Sequence, residues 1–181
     1  YLIDNKNFNE TTKFHYRQLL VNYLADSKID DVTLGTTKKE YIDNIENPST
    51  WGGAIELKLF GEMFQTQIAS IDVQSNRVDI FGEDKNYPQR IYVIYNGVHY
   101  DPLVMAYTEE PCDDITIFES DDNQTLIEFQ EYVKMFKEAG DFVDPSNMNQ
   151  FECDQCKTLF GSQMEAYEHA NNFQHWNFNE I

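Results

Sequence analysis

Basic residues are scarce: the 181-residue chain has 13 Lys and Arg against 32 Asp and Glu, a formal net charge of -19. Phosphate backbones and anionic membrane surfaces are held by clustered Lys and Arg, so nucleic acid and membrane are excluded as expected partners. A partner with a basic face fits better. Long apolar runs are also missing; nothing approaches the roughly 18 residues of a membrane span, and no charged start followed by an apolar centre marks a signal peptide. There are three cysteines, too few for a disulfide framework, and two of them stand as Cys153-x-x-Cys156. That spacing points to a reducing compartment, cytosol or nucleus. Methionine is absent from the first position, which is Tyr1. We therefore expect an excised segment whose missing elements lie upstream. What is plentiful is apolar and aromatic material: 41% apolar residues with 11 Tyr and 13 Phe suffice for a packed core.

Along the chain, helical spacing comes first. Thr11 or Thr12 is placed to cap a helix to about Leu24, with Tyr16, Leu19, Leu20, Tyr23 and Leu24 recurring on one side. His15 lies within it, with no second ligand or acid partner at a telling spacing. Thr37 and Glu40 match a capping box ahead of a short helix whose stripe is Tyr41, Ile42 and Ile45, ending near Asn47-Pro48. After Trp51-Gly52-Gly53, a third helix is expected from Ala54 to Phe64, turning Ile55, Leu59 and Met63 inward. The period then changes to that of strands: Ile68 to Val73, Arg77 to Phe81, Arg90 to Tyr95 and, after an Asn96-Gly97 turn, Val98 to Asp101. A long helix from Asp121 to Ala139 stops at Gly140. Helices first and a small, mainly antiparallel sheet second make an α+β plan. Residues 141–148, with Pro145 and Ser146, read as a linker between a domain over 1–140 and a C-terminal unit over 149–181.

That unit carries Cys153-x2-Cys156-x12-His169-x5-His175, the ligand spacing of a ββα Cys2His2 zinc finger. Two thiolates from a knuckle and two imidazoles from one helix face close a tetrahedron, so Zn2+ is expected here as a structural ion. Phe160 and Ala166 fall where such a finger keeps its small core. The positions that would face base edges are Ser162, Glu165 and Glu168, and Lys157 is the sole Lys or Arg from Phe151 onward. Two acids out of three repel phosphate, which leaves a stabilising or protein-contact module.

For chemistry, His99 and Asp101 stand two apart in the segment Arg90 to Leu103, so an extended chain turns both to one side, as base and orienter. A nucleophile is harder to find. Cys112 sits in the acidic stretch Glu109 to Asp114, where negative neighbours suppress thiolate, and no Ser occupies a Gly-x-Ser-x-Gly elbow.

The segments Trp51 to Glu56, Phe81-Gly82-Glu83-Asp84 and Tyr95 to Leu103, followed by the Cys2His2 finger, in this order resemble the ovarian-tumour (OTU) cysteine proteases. More narrowly, they resemble the YOD-type ubiquitin thioesterases that work with an AAA segregase ATPase in endoplasmic-reticulum-associated degradation. The resemblance implies a papain-like α+β fold and hydrolysis of isopeptide bonds in polyubiquitin by a Cys-His mechanism. It makes His99 the general base and Asp101 a lesser candidate for its orienter. It places the Asp-x-x-Cys nucleophile loop just before Tyr1, so the chain as it stands is expected to be inactive. A ubiquitin-binding adaptor or pseudoenzyme is the alternative. Trp51, Gly52, Gly53, Glu56, Asn96, Gly97 and Val98 are the residues expected at the ubiquitin tail, Glu56 through its charge. Trp51-Gly52-Gly53 has an equal second reading, as a core anchor and the opening of a helix. Gln124 to Phe129 is a further ubiquitin contact the resemblance implies, and a segregase-binding domain is expected upstream.

Overall fold

In a computed structural model of the chain, residues 10–108, 113–141, 151–160, 169, 172–175 and 178–180 are described. Cys112, most of the expected linker (142–148) and the expected finger helix between Gly161 and Glu168 lie outside them.

Four helices come first: α1 (Glu10–Asp26), α2 (Asp31–Leu34), α3 (Lys38–Glu46) and α4 (Ala54–Phe64). The α1 helix is already running at Glu10, so Thr11 and Thr12 lie inside it instead of capping it. The α2 turn was not foreseen; four residues are too few to show a period. Asp30 caps it by accepting from the Thr33 N–H at 2.8 Å, and Gly35 ends it in the left-handed region at φ 72°. The expected capping box at Thr37 and Glu40 is present, and α4 spans the expected residues.

The sheet has the order β2-β1-β3-β4, from β1 (Gln67–Asp72), β2 (Val78–Phe81), β3 (Gln89–Tyr95) and β4 (Tyr100–Leu103), with β5 (Phe118–Glu119) also on β3. Three pairings are antiparallel, as expected, but the central one, β1 with β3, is parallel and makes the sheet mixed. The cause is legible in burial. β1 and β3 are buried almost throughout, whereas β2 is half-exposed, so β2 takes the edge and β3 the interior place beside β1.

Alternation along β1 and β3 divides the core. Ile68, Ile91 and Val93 face α4 through Leu57 and Phe60. Ala69, Ile71, Tyr92 and Ile94 face the other way, onto Phe129 and Val133 of α5 (Asn123–Ala139). A third cluster, from Leu20, Val21, Leu24, Leu34, Ile45 and Leu59, holds α1, α3 and α4 together. The sheet is thus sandwiched between helices. Asp122 caps α5 through the Thr125 N–H at 3.0 Å, and Gly140 ends it.

The C-terminal unit contributes β6 (Phe151–Cys153), β7 (Leu159–Phe160) and β8 (Phe178–Glu180), in the order β7-β6-β8. The third strand, after the second histidine, was not foreseen.

Candidate functional site

The hairpin between β3 and β4 positions the histidine. The loop is four residues, 96–99, not the tight two-residue turn that Asn96-Gly97 signals: Tyr95 pairs with Tyr100, and the Asn96 N–H donates to the His99 carbonyl at 3.2 Å. His99 is therefore in the loop and not on a strand as expected. Three features fix the loop. The Asn96 side-chain oxygen accepts from the N–H of Val98 (3.1 Å) and of His99 (2.8 Å), an Asx turn. Gly97 adopts φ 103°, a conformation that side chains oppose. The Tyr95 hydroxyl donates to the Gly97 carbonyl at 2.5 Å, and its ring stacks on Tyr100 at 4.5 Å. Asn96 and Gly97 thus shape the loop, while Val98 lines the cleft beside it.

The expected pair is brought together: His99 Nδ1 lies 3.4 Å from Asp101 Oδ1, each side chain 58% exposed. Trp51 also stands edge-to-face with the imidazole, ring centroids 5.9 Å apart and planes at 88°. Trp51 is 62% exposed, so it is no core anchor. Its neighbour Gly53 does open α4, as its N-cap. A cleft of about 340 Å³ runs past Trp51, Gly52, Val98 and His99 to Lys13 and Arg17 of α1.

Glu56 departs most from expectation. It is only 6% exposed, so it does not offer its charge at the surface. One carboxylate oxygen accepts from the Tyr41 hydroxyl at 2.5 Å and the other from the Gly53 N–H at 2.5 Å. Burial, with the Glu56 carboxylate beside it, pushes the Tyr41 phenol well above its usual range. A Cβ on Gly52 would come within 3.2 Å of Glu56 Cγ, a tight approach to which the buried acid would have to give by a few tenths of an ångström.

Sequence reasoning missed Arg17 and the hydroxyl of Tyr41. Arg17 donates to the carbonyls of Ile45 (2.5 Å) and Thr50 (2.9 Å). Nothing in the sequence announces bonds to backbone carbonyls 28 and 33 residues away. Tyr41 carried its signal in apolar periodicity, which is silent about where a phenol ends.

In α5, Thr125 and Phe129 are buried while Ile127 is 52% exposed. The segment Gln124 to Phe129 therefore divides between core and surface.

The metal-ligand candidates also converge. The ligand atoms of Cys153, Cys156, His169 and His175 all lie within 4.8 Å of one another. Cys153 Sγ is 3.5 Å from His175 Nδ1, Cys156 Sγ is 3.3 Å from His169 Nε2, and the two nitrogens are 3.1 Å apart. A tetrahedron with Zn–S near 2.3 Å and Zn–N near 2.05 Å has edges of about 3.6 Å for S–N and about 3.3 Å for N–N. The three distances match these edges to within about 0.3 Å, all four ligand atoms lie within 4.8 Å of one another, and two thiols with two imidazoles are the donor chemistry of a tetrahedral ion. The hairpin closes beneath it through the Cys153 N–H to Thr158 carbonyl bond (2.9 Å) and the Lys157 N–H to Cys153 carbonyl bond (2.8 Å). The Thr158 hydroxyl, hydrogen-bonded to the sulfur, is the main cause that holds the Cys156 thiol down to about 6.

The chain is similar to known proteins. The ubiquitin thioesterase OTU1 of Homo sapiens is 34% identical over the whole of this chain, which covers 52% of that protein. Those of Xenopus laevis and Dictyostelium discoideum are 31% and 32% identical, with 60% and 56% of their lengths covered. The chain thus spans about half the length of the curated relatives it matches. Among solved structures, an ovarian-tumour domain in complex with ubiquitin superimposes with a TM-score of 0.64 over 79% of this chain and 80% of its own, at 23% identity. That likeness is one of fold. The model of the OTU-like cysteine proteases matches residues 3–115, which carry α1 to α4, the first four strands and the His99 loop, and the chain belongs to that family.

Proposed function

We propose that the protein is a deubiquitinase that hydrolyses isopeptide bonds of polyubiquitin, with His99 as general base and residues 149–181 as a zinc-stabilised appendage. The observation that carries this reading is the solvent-accessible imidazole at a cleft mouth, backed by a carboxylate at 3.4 Å, in a chain of this family.

The chemistry follows from the geometry. Asp101 accepts from the Nδ1–H tautomer and leaves Nε2 as the basic nitrogen. That nitrogen takes the proton of a cysteine thiol; the thiolate attacks the carbonyl of the ubiquitin C-terminus, and the imidazolium returns the proton to the leaving lysine amine. Water then releases the acyl group with His99 acting as base again. Among the described residues the thiols are Cys153 and Cys156, both committed to the metal cluster. On the family pattern the nucleophile is the cysteine of an Asp-x-x-Cys loop.

Cys153, Cys156, His169 and His175 would hold zinc, which would supply cross-linking and hence stability, with no reaction step. The finer reading keeps residues 1–140 as the catalytic domain and 141–148 as a linker. It places the activity in endoplasmic-reticulum-associated degradation beside an AAA segregase ATPase, in cytosol or nucleus, supported by the resemblance and by relatives named as ubiquitin thioesterases.

Cleavage of di-ubiquitin by the full-length protein tests this. His99→Ala is expected to lower the rate by about a hundredfold or more. Unchanged cleavage by that variant refutes the base assignment, and ubiquitin binding without any cleavage by the wild type establishes the adaptor instead.

A further inference from the structure

Trp51 is mostly exposed, yet the backbone around it is held at both ends. On one side, Arg17 donates to the Thr50 carbonyl at 2.9 Å. On the other, Glu56 accepts from the Gly53 N–H at 2.5 Å and is itself fixed by the Tyr41 hydroxyl at 2.5 Å. A buried carboxylate is costly and is retained where its partners are fixed. Gly53 has no side chain with which to cap α4, so the helix begins under the control of Glu56, one turn in. Gly52 lacks the Cβ that would strike Glu56 Cγ at 3.2 Å, so this backbone lies directly on the acid. The aromatic contact made from this clamped segment is with His99, at 5.9 Å.

We propose that Tyr41 and Glu56 are positioning residues for His99. Their hydrogen-bonded pair sets the Gly52-Gly53 backbone, that backbone sets the Trp51 indole, and the indole holds the imidazole in its rotamer against Asp101. The inference rests on His99 being the general base. Neither residue touches substrate; Glu56 acts through two residues of backbone and one ring. Glu56 is 6% exposed and borders a hollow that it shares with Gly52 and Arg17, and a displacement of the pair passes through the Gly52-Gly53 backbone to the ring beside the base.

The test uses di-ubiquitin cleavage by the full-length protein, together with NMR of the His99 imidazole. Glu56→Ala is expected to lower kcat about tenfold or more with KM nearly unchanged, since a misplaced base weakens the transition state alone. Glu56→Gln is expected to restore most of the loss, because its amide oxygen can accept from Gly53 N–H while its NH2 donates to the Tyr41 oxygen. Trp51→Ala combined with Glu56→Ala is expected to cost little more than Trp51→Ala alone, the mark of one chain of contacts. The His99 ring signal should move in Glu56→Ala and Trp51→Ala alike. Should Glu56→Ala not fold, Tyr41→Phe, which removes one oxygen, carries the test with a fall in kcat of about threefold or more and the same movement of the ring signal. Unchanged kcat and ring signal in a folded Glu56→Ala or in Tyr41→Phe overturns the proposal, as do fully multiplicative effects of the Trp51 and Glu56 substitutions. Full activity of His99→Ala instead overturns the base assignment, so the two failures are told apart.

Discussion

Removing metal from the Cys153, Cys156, His169 and His175 cluster should unfold the C-terminal unit and leave the rest standing. The three apolar clusters of the fold draw on residues between Leu20 and Phe136. Among the described residues of the C-terminal unit, Cys153 is the buried one, at 0% exposure. A small hairpin with one buried thiol has little apolar area to set against the entropy of ordering its chain. On the proposed reading, a metal held by the four ligands, whose atoms lie within 4.8 Å of one another, would supply what the core lacks, since structural zinc contributes on the order of 10–16 kcal/mol in isolated fingers. Chelation, or Cys153→Ser, should therefore abolish the exchange protection of the Cys153 and Lys157 amides, which bond to the Thr158 and Cys153 carbonyls. Amides of β1 and β3 should keep theirs. The main thermal transition should shift by less than about 3 °C, roughly what 1 kcal/mol produces in a chain of this size. Hydrogen exchange with elemental analysis makes the measurement, with about one zinc per chain expected. Protection of Cys153 and Lys157 that survives complete metal removal would refute the reasoning.

Three other outcomes are expected. Phe129→Ala removes a ring packed on Tyr92 at 4.9 Å and on Phe118 at 5.5 Å; urea unfolding should show a loss of about 3–5 kcal/mol with an unchanged slope. Gly97→Ala forces a side chain onto φ 103°, and should cost about 1–2 kcal/mol while slowing ubiquitin cleavage by the full-length protein, because the same loop carries His99. Hydrogen bonds from the Thr125 hydroxyl and backbone hold Asp122 below the usual carboxylate range. A carboxyl whose folded pKa is depressed stabilises above its unfolded value and loses that contribution as pH falls through the folded one. The stability gap between wild type and Asp122→Ala should then be constant from pH 7 to about 5 and close below about pH 4, read by urea titration at each pH.

Much of this protein was determined by sequence alone, wherever the deciding physics is local. Periodicity placed α3, α4, α5 and the first three strands to within two or so residues, because burial of one face repeats at 3.6 or 2 residues whatever the rest of the chain does. The Thr37 and Glu40 box and the Gly140 stop were legible because capping is a bargain among neighbours. That His99 meets Asp101, and that the two cysteines converge with the two histidines, was legible because the residues follow patterned spacings and their chemistry is rare. Tertiary structure decided the rest. Which of β1's two neighbours takes the interior place depends on which is buried on both faces, so the parallel β1–β3 pairing is a property of the whole sheet. Glu56 reads as surface charge in the sequence, and only the packing of α3 against α1 and α4 brings Tyr41 over it and turns it into the buried support of Gly53. Trp51 reads equally as core or contact; only the return of the β3–β4 loop puts it against His99. Such contacts join residues 15 to 48 positions apart, and a pattern of neighbours carries no record of them.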